Sequence, residues 1–482
     1  MKMLYSVKDK ITKNYDVIVV GAGLAGMTLA NKLALNGRKV LILEAHNKLG
    51  GLATWFKRAE GEHIFDVSLH GFPVGMIKTC RKYWSKEIAD HIHQLKSVRF
   101  INPQFEIETD FTKVDFIKIL IQKFEIQPEV VQAFFNELSE MNFYDQNQMK
   151  NRELFEKYFP GRNDVMRFLL EPIVYANGSN LEDPAISYGI VFSNFMNKGV
   201  YIFQGGTDKM ISMMKDELIK NGVDIRLQSK VDKILIEKKK VMGVSVKDEN
   251  IFSNAVVMNG NIKIAIDKLI GHEHFSQDFL NQFYTVKLNT SSCQVYMGIK
   301  KGESIPFIGD LIFTSSDSEF NTELVLSNKI GSQTFSVYYP EMRPHLDARY
   351  AIVSSSNAIY SDWSKLSKSE YEEQKEYLIN RALLGIEKIV PGIKEKIDYI
   401  EAATPLTVER YTHHENGSSF GTKFEGLQTS LNLPNELSGM FHAGSVGIIM
   451  SGWLGAANYG VIVAHNVDTY LSNLEKNEEK NE

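Results

Sequence analysis

The segment Asn14–Gly51, NYDVIVVGAGLAGMTLANKLALNGRKVLILEAHNKLGG, constrains this chain more than any other. An apolar run, Val17–Val20, leads into Gly21, Gly23 and Gly26. A helical stretch follows, then a second apolar run, Val40–Leu43, that ends on Glu44. Strand, glycine turn, helix, strand and acid in that order make a dinucleotide fingerprint, which glycine spacing alone does not. Gly21 permits the tight turn, Gly23 lets a pyrophosphate approach the backbone, and Gly26 lets the helix pack close to the strand. The helix opens at Leu24 and Ala25, where free N–H groups and a partial positive charge favour phosphate. Glu44 falls where a carboxylate binds ribose hydroxyls and repels a 2′-phosphate.

The residues after Glu44 narrow the nucleotide. They read Glu44-Ala45-His46-Asn47-Lys48-Leu49-Gly50-Gly51-Leu52-Ala53-Thr54. A Gly-Gly pair just past the nucleotide strand gives a loop whose backbone N–H groups can face a second phosphate or a flavin ring. The run resembles the flavin-dependent amine oxidase and phytoene desaturase superfamily, whose pattern here is Glu-Ala-x-x-Arg-x-Gly-Gly-Arg. Lys48 takes the first arginine position and Leu52 replaces the second. The resemblance implies FAD, with Ala45, Lys48, Gly50, Gly51, Leu52 and Ala53 around it. The segment Phe65-Asp66-Val67-Ser68-Leu69-His70-Gly71 is similar to the Phe-Asp-x-Gly-x-His segment of retinol saturases and their bacterial relatives. His70 would then lie near the flavin, where an imidazole relays a proton or orients substrate. A hydrogen-bonded structural histidine is the alternative.

The rest of the chain reads as one nucleotide fold, interrupted. The first piece ends near Gly75. VDFIKILIQKFEIQPEVVQAFFNELSEM predicts two amphipathic helices broken at Pro128. Aromatic residues and Met are frequent from Phe134 to Phe203, as a packed core or a hydrophobic substrate tunnel would both require. Near Gly199 the chain rejoins the first unit. A Gly205-Gly206 turn, a helix over about Asp208–Asn221 and an edge segment Lys230–Ile236 resemble the superfamily's middle FAD segment. That resemblance puts the Val231 backbone against the adenine. Ala255–Gly260 is similar to the strand that closes the nucleotide fold. From about Asn261 to Ile400 the runs SSCQVYMGI, ELVLSN, TFSVYY and YAIVSSS predict strands of a mixed sheet, with one helix over about Ser369–Ile389. The expected fold is α/β: a discontinuous Rossmann-like FAD-binding domain (1–75, 195–265, 400–471) with an inserted α+β substrate domain (76–194, 266–399). The charged tail 472–482 is expected to be disordered.

Three C-terminal motifs complete the pattern. Ala403-Thr404-Pro405-Leu406-Thr407-Val408-Glu409-Arg410-Tyr411, then Asn416-Gly417 and Gly421, resembles a segment of carotenoid isomerases and retinol saturases. In it Arg410 either anchors a polar end of the substrate or joins a surface ion pair. Gly439–Ser445 resembles the superfamily's terminal Ala-Gly-Asp/Gln strand. Gly444 would lie against the flavin, and the Ser445 hydroxyl replaces the acid or amide. Ser451–Gly460 opens the last helix, where the small Gly455 and Ala456 let a flavin ring rest on a positive helix end.

Size and charge exclude other classes. The 482 residues suffice for two domains, and 43% apolar and 23% charged residues suit a globular protein. A net charge of -5 disfavours nucleic acid. Cys80 and Cys293 match no metal spacing and imply a reducing compartment. The leader MKMLYSVKDKITK lacks a signal peptide's apolar core, and no run reaches transmembrane length. A cytoplasmic protein is expected, with peripheral contact at the inner membrane surface, through the Val114–Phe135 helices, as an alternative to internal helices.

The resemblance implies an FAD-dependent oxidoreductase that saturates, isomerises or desaturates carbon–carbon bonds of a lipophilic polyene or isoprenoid-like substrate. Its electron donor or acceptor is left open. Two other readings stand beside it. An amine-oxidase-type flavoenzyme would want an aromatic pair at the flavin, for which Trp453 and Tyr459 are candidates. A non-catalytic FAD-binding escort protein would keep Gly21–Glu44 and lack a tunnel.

Overall fold

A computed structural model describes residues 14–67, 71–141, 149–344, 349–447, 449–450 and 452–479. Two seven-stranded sheets organise it. The first begins with β1 (Asn14–Val20), the helix α1 (Leu24–Leu35) and β2 (Val40–Leu43). β1 runs parallel to β2 on one side and to β3 (Glu249–Met258) on the other. Asp224–Arg226 extends the β2 edge, and the antiparallel pair Lys240–Val246 and Lys233–Glu237 extends the other. Met440–His442 adds a parallel partner for the end of β3. Strands of this sheet thus come from three separated stretches of chain. β2 is buried at every residue, as a parallel strand covered on both faces must be.

The second sheet is mostly antiparallel. It contains β4 (Ser291–Ile299), β5 (Leu311–Ser315), β6 (Ser332–Tyr338), β7 (Ala351–Ala358) and β8 (Ile397–Ala403). Their spatial order is β8-β4-β7-β6-β5, followed by Val98–Ile101 and Glu106–Thr109. The period of two assigns each face. Cys293, Val295, Met297 and Ile299 of β4 join Phe335 and Val337 of β6 under Leu378, Ala382 and Ile386 of the helix Lys368–Ile389. The alternate residues, Ser292, Gln294 and Tyr296, face the other way, into a cavity.

The helical middle of the chain packs as a core. α2 (Lys113–Gln122) and α3 (Pro128–Glu140) meet at Pro128, which stands in the first turn of α3, where its missing N–H costs nothing. They bury Phe116, Leu120, Val131, Phe134 and Phe135, and leave Val114 exposed. Phe116 stacks on Phe168 with ring centroids 4.3 Å apart. Phe168 belongs to α4 (Asn163–Asn177), which carries Pro172 inside it, and α5 (Ala185–Met196) follows. Among the described residues no helix is long and apolar enough to cross a membrane.

Two expectations need correction. ELVLSN contributes a short helix, Thr322–Leu326, in place of a strand. Asn321 accepts from the Glu323 N–H and caps it, so local capping overrides the β-prone Val325. The charged tail does not fray at Leu471, because the last helix, α6 (Gly452–Glu479), continues to Glu479; residues 480–482 lie outside the described residues. The Arg38 guanidinium holds those turns, bonding Asp468 and Ser472, each at 2.7 Å, and pairing with Glu475. In addition, β8 begins at Ile397 and lies wholly in the second sheet, across the boundary expected at 400.

Candidate functional site

A single cavity of about 1600 Å³ runs from the C-terminal ends of β1 and β2 to the inner face of the second sheet. Drug-sized pockets occupy roughly 300–1,000 Å³, so this one has room for a dinucleotide and a second molecule together.

The dinucleotide end is built by β1, α1 and β2. Gly21 has φ +101°, and a Cβ there would lie 2.3 Å from the Asn259 carbonyl oxygen. Gly26 does not line the cavity. It lies beneath the turn, where a Cβ would meet Asn259 Oδ1 at 2.5 Å and the Gly21 carbonyl at 2.6 Å. Gly23 caps α1 without a side chain, so the first N–H groups, at Leu24 and Ala25, have no intrahelical partner. Both residues line the cavity. Glu44 braces the turn from the end of β2: its carboxylate accepts from Ala22 N and His46 N, each at 2.7 Å. Each oxygen keeps a lone pair for a ribose hydroxyl. The Gly50 N–H donates to the Ala22 carbonyl at 2.8 Å and seats the second glycine loop against the first. Ala45, Lys48, Gly50, Gly51, Leu52 and Ala53 all line the cavity with it, as do Val231, Gly444, Ser445, Gly455 and Ala456. Lys48 is turned aside: Nζ donates to the Trp55 carbonyl at 2.5 Å, and burial lowers its pKa.

The donors and acceptors suit a dinucleotide. Phosphates only accept, and the helix start and the glycine loop supply N–H groups. Sugar hydroxyls donate, and Glu44 accepts. The buried Oδ1 of Asn259 is a further acceptor, without a partner among the described residues, while Nδ2 donates to the Ala443 carbonyl at 2.8 Å. Asn259 was missed in the sequence because the residue after a closing strand carries no periodic signal; only its contact with all three fingerprint glycines reveals it. Behind it His442 is buried and held neutral. Nε2 contacts the Gly260 carbonyl at 2.9 Å, Nδ1 contacts Ser430 Oγ at 2.7 Å, and desolvation lowers the pKa to about 4.

The far end is a chamber. α4 and α5 contribute Pro172, Ile173, Ile190, Val191 and Phe195, and the second sheet supplies the facing wall. Trp453, at the start of α6, lines the cavity and stacks on Phe72 with ring centroids 5.5 Å apart. Tyr459 does not reach the cavity. It is buried with its hydroxyl 2.5 Å from Ser430 Oγ, so it forms no aromatic pair with Trp453 there. Arg410 lines the cavity but is exposed, its guanidinium 5.6 Å from the Tyr411 ring. Glu409 accepts from the Tyr360 hydroxyl at 2.6 Å. His70 lies outside the described residues.

A buried ionic cluster supports the site. Asp66, from the Phe-Asp motif, pairs with Arg343, which also bonds Asp208 at 2.5 Å. The Thr207 N–H donates to Asp66 at 2.8 Å. The cluster ties the hairpin Trp55–Arg58/His63–Asp66 to the helix Gly206–Lys220. Its two carboxylates raise the Arg343 pKa against desolvation, the largest single effect.

Comparison with known proteins agrees with this geometry. Residues 19–83 match the NAD(P)-binding Rossmann-like domain. The chain is similar to a chloroplastic prolycopene isomerase of an Oncidium hybrid, 24% identical over 95% of this chain and 85% of that one. It is similar to the all-trans-retinol 13,14-reductase of Danio rerio, at 20% identity over 86% of this chain and 78% of that one. It is also similar to 4,4'-diapolycopen-4-al dehydrogenase of Metabacillus indicus, at 21% over 89% and 92%. Among solved structures, an oxidoreductase from Methanosarcina mazei shares the fold with a TM-score of 0.65, 16% identity and coverage of 93% and 99%. Cyclohexylamine oxidase from Brevibacterium oxydans does so with a TM-score of 0.66, 13% identity and coverage of 96% and 99%. The resemblance and the fold class read from the sequence are borne out.

Proposed function

We propose that this protein is an FAD-dependent oxidoreductase acting on carbon–carbon bonds of a lipophilic polyene or isoprenoid-like substrate. One observation carries the reading most directly: a single cavity joins a dinucleotide cradle to a chamber whose helical wall is largely apolar. Relatives named as a polyene isomerase, a retinol reductase and a diapolycopenal dehydrogenase, each matched over most of the chain, support it.

In this reading the α1 N-terminus and the loop at Gly50 and Gly51 hold the phosphates. Glu44 and Asn259 accept sugar hydroxyls, and Gly444, Ser445, Gly455 and Ala456 give the ring a flat seat. FAD bound there supplies hydride or electron exchange with carbon. Ile173, Val191 and Phe195 exclude water and orient an extended apolar chain. Redox-neutral isomerisation, saturation and desaturation share these requirements, and the electron partner is a further open identity. The amine-oxidase reading loses one of its aromatic candidates, since Tyr459 points into the core. An escort protein needs no chamber.

The test is a visible absorption spectrum of the purified protein, then anaerobic reduction and exposure to polyenes and simple amines. A flavin band and turnover of a polyene, by re-oxidation of the flavin or by a change of double-bond geometry, is the expected result. Bleaching of oxidised flavin by amines alone would move the protein to the amine-oxidase class. Failure to retain or take up FAD would overturn the reading.

A further inference from the structure

The chamber has two unlike walls. The helices present mostly hydrocarbon, with Asn177 and Asn194 among it, whereas the sheet presents, beside Tyr296, Leu311 and Phe313, a band of neutral polar side chains. Pairing places the band in register. Thr334 of β6 lies opposite Ser355 of β7, and Ser355 lies opposite Gln294 of β4. One step along, Asn357 lies opposite Ser292. All five line the cavity. A sheet face that lined a channel for pure hydrocarbon would carry Val, Ile or Phe at these positions, as Val295 of β4 and Phe335 and Val337 of β6 do on the opposite face.

Local bonding leaves part of this band unsatisfied. Gln294 accepts from the Tyr296 hydroxyl, which fixes its amide, yet among the described residues its Nε2 donates to no protein acceptor. Asn357 Nδ2 donates to the Val174 carbonyl at 2.8 Å, and its Oδ1 has no protein donor among the described residues. From the helical side, Asn177 also lines the cavity and is 3% exposed. Its Oδ1 accepts from the Ser179 N–H at 3.0 Å, while its buried Nδ2 has no partner. Unmet donors and acceptors thus converge from two independent elements. Buried polar groups are normally paired, so a cavity that leaves several unpaired is shaped for a ligand that completes them.

The charge of that ligand follows from what surrounds the band. None of these side chains is ionised. The nearest carboxylate on the α4 side, Glu171, sits behind Ser332, whose hydroxyl donates to it at 2.6 Å, and Tyr175 in turn donates to Ser332 at 2.9 Å. Arg167 and Asp317 are the charged groups that face Glu171. On β8, Glu401 is engaged by Arg58 at 2.6 Å. Within the band itself a carboxylate or an ammonium ion would lose hydration without gaining a counter-ion.

We infer that the chamber's sheet wall is a binding surface for an uncharged oxygen function, a hydroxyl or a carbonyl, carried on an otherwise apolar chain. This rests on the proposed function and narrows it: the substrate is an oxygenated polyene, and neither its parent hydrocarbon nor its acid or amine. Gln294 and Asn177 supply N–H donors, Asn357 an acceptor, and Thr334 a hydroxyl of either role.

The experiment uses the FAD-loaded protein and four matched probes: retinol, its deoxy hydrocarbon, retinoic acid and retinylamine. Binding is read from the flavin spectral perturbation and from tryptophan fluorescence, without turnover. Retinol is expected to bind at least about tenfold more tightly than the other three, because a site built for a hydroxyl rejects the analogue that lacks it. The nearly isosteric Thr334→Val and Gln294→Leu should each lower retinol affinity and leave the hydrocarbon as tight or tighter. Equal affinity for alcohol and hydrocarbon in the unmodified protein would overturn the inference and leave the flavoenzyme reading standing. Preference for the acid or the amine would overturn it as well. Failure of all four to perturb a protein that retains flavin would overturn this inference and the polyene reading together. Should either variant misfold, the probe series on the unmodified protein decides alone.

Discussion

Neutral His442 is the group through which acid should loosen this fold. It lies 1% exposed between Ser430 and the Gly260 carbonyl, under the strand end that carries Gly444. Desolvation is the main cause of its lowered pKa, about 4 against 6.5 when free. Below the free value the unfolded chain takes up a proton that the folded chain refuses. The associated stability is therefore complete above about pH 6.5 and declines as the pH falls toward 4. Linkage over that interval gives a loss of about 2 kcal/mol by roughly pH 5 and about 3 kcal/mol in all. His442→Gln retains an amide N–H to reach Gly260 and removes the titration. Urea unfolding at about pH 7.5 and pH 5 should show the unmodified protein losing about 2 kcal/mol more than the variant, with the other titrating groups common to both. Equal losses in the two proteins would refute the assignment of a depressed pKa to His442. Since Gly260 and Gly444 border the dinucleotide end, retained flavin should fall over the same interval and should fall less in the variant.

Other consequences are as direct. Arg343→Met removes one partner of a buried pair and leaves Asp66 and Asp208 facing each other, so urea unfolding should register a loss of about 3–5 kcal/mol. Glu44→Ala should lower the flavin-to-protein ratio after gel filtration, through both the lost ribose acceptor and the loosened Ala22 turn, while the far-ultraviolet spectrum stays unchanged. Arg38→Ala should expose the last turns of α6 to proteolysis after Asp468, detectable as a shortened C-terminus by mass spectrometry. Burial raises the Cys80 thiol to about 12 and pushes the Cys293 thiol up as well, so Ellman's reagent at pH 8 should find no fast thiol in the native protein and two after denaturation.

What could be read from the chain followed the range of the interactions. The fingerprint was legible because Gly21, Gly26 and Glu44 stand at set spacings within one strand–helix–strand unit, whereas Asn259, which presses on both glycines, comes from far along the chain. ELVLSN misled because the β preference of Val325 weighs less than the Asn cap at Asn321. The tail misled for the opposite reason: its composition reads as solvated, yet Arg38, 430 positions away, pairs with Asp468 and holds it helical. Arg343 and Asp66 are 277 apart, and no local pattern distinguishes that arginine from a surface one.

The chamber shows the same limit in its most consequential form. The alternation of SSCQVYMGI announced a strand with unlike faces, but polar residues at every second position ordinarily mean a solvated face. Here Ser292 and Gln294 alternate with Cys293, Val295 and Met297, and the polar face is turned inward. It is enclosed by α4 and α5, and those two helices come from more than a hundred residues earlier in the chain. An inward polar face is costly unless something completes its hydrogen bonds. The sheet tolerates it by bonding Ser292 to Ser419 at 3.0 Å and Asn357 to the Val174 carbonyl; among the described residues the buried Asn177 Nδ2 has no partner and Gln294 Nε2 meets no protein acceptor. With Val295, Phe335 and Val337 already closing the core on the other face, the inward polar band is explained by a ligand that completes its hydrogen bonds.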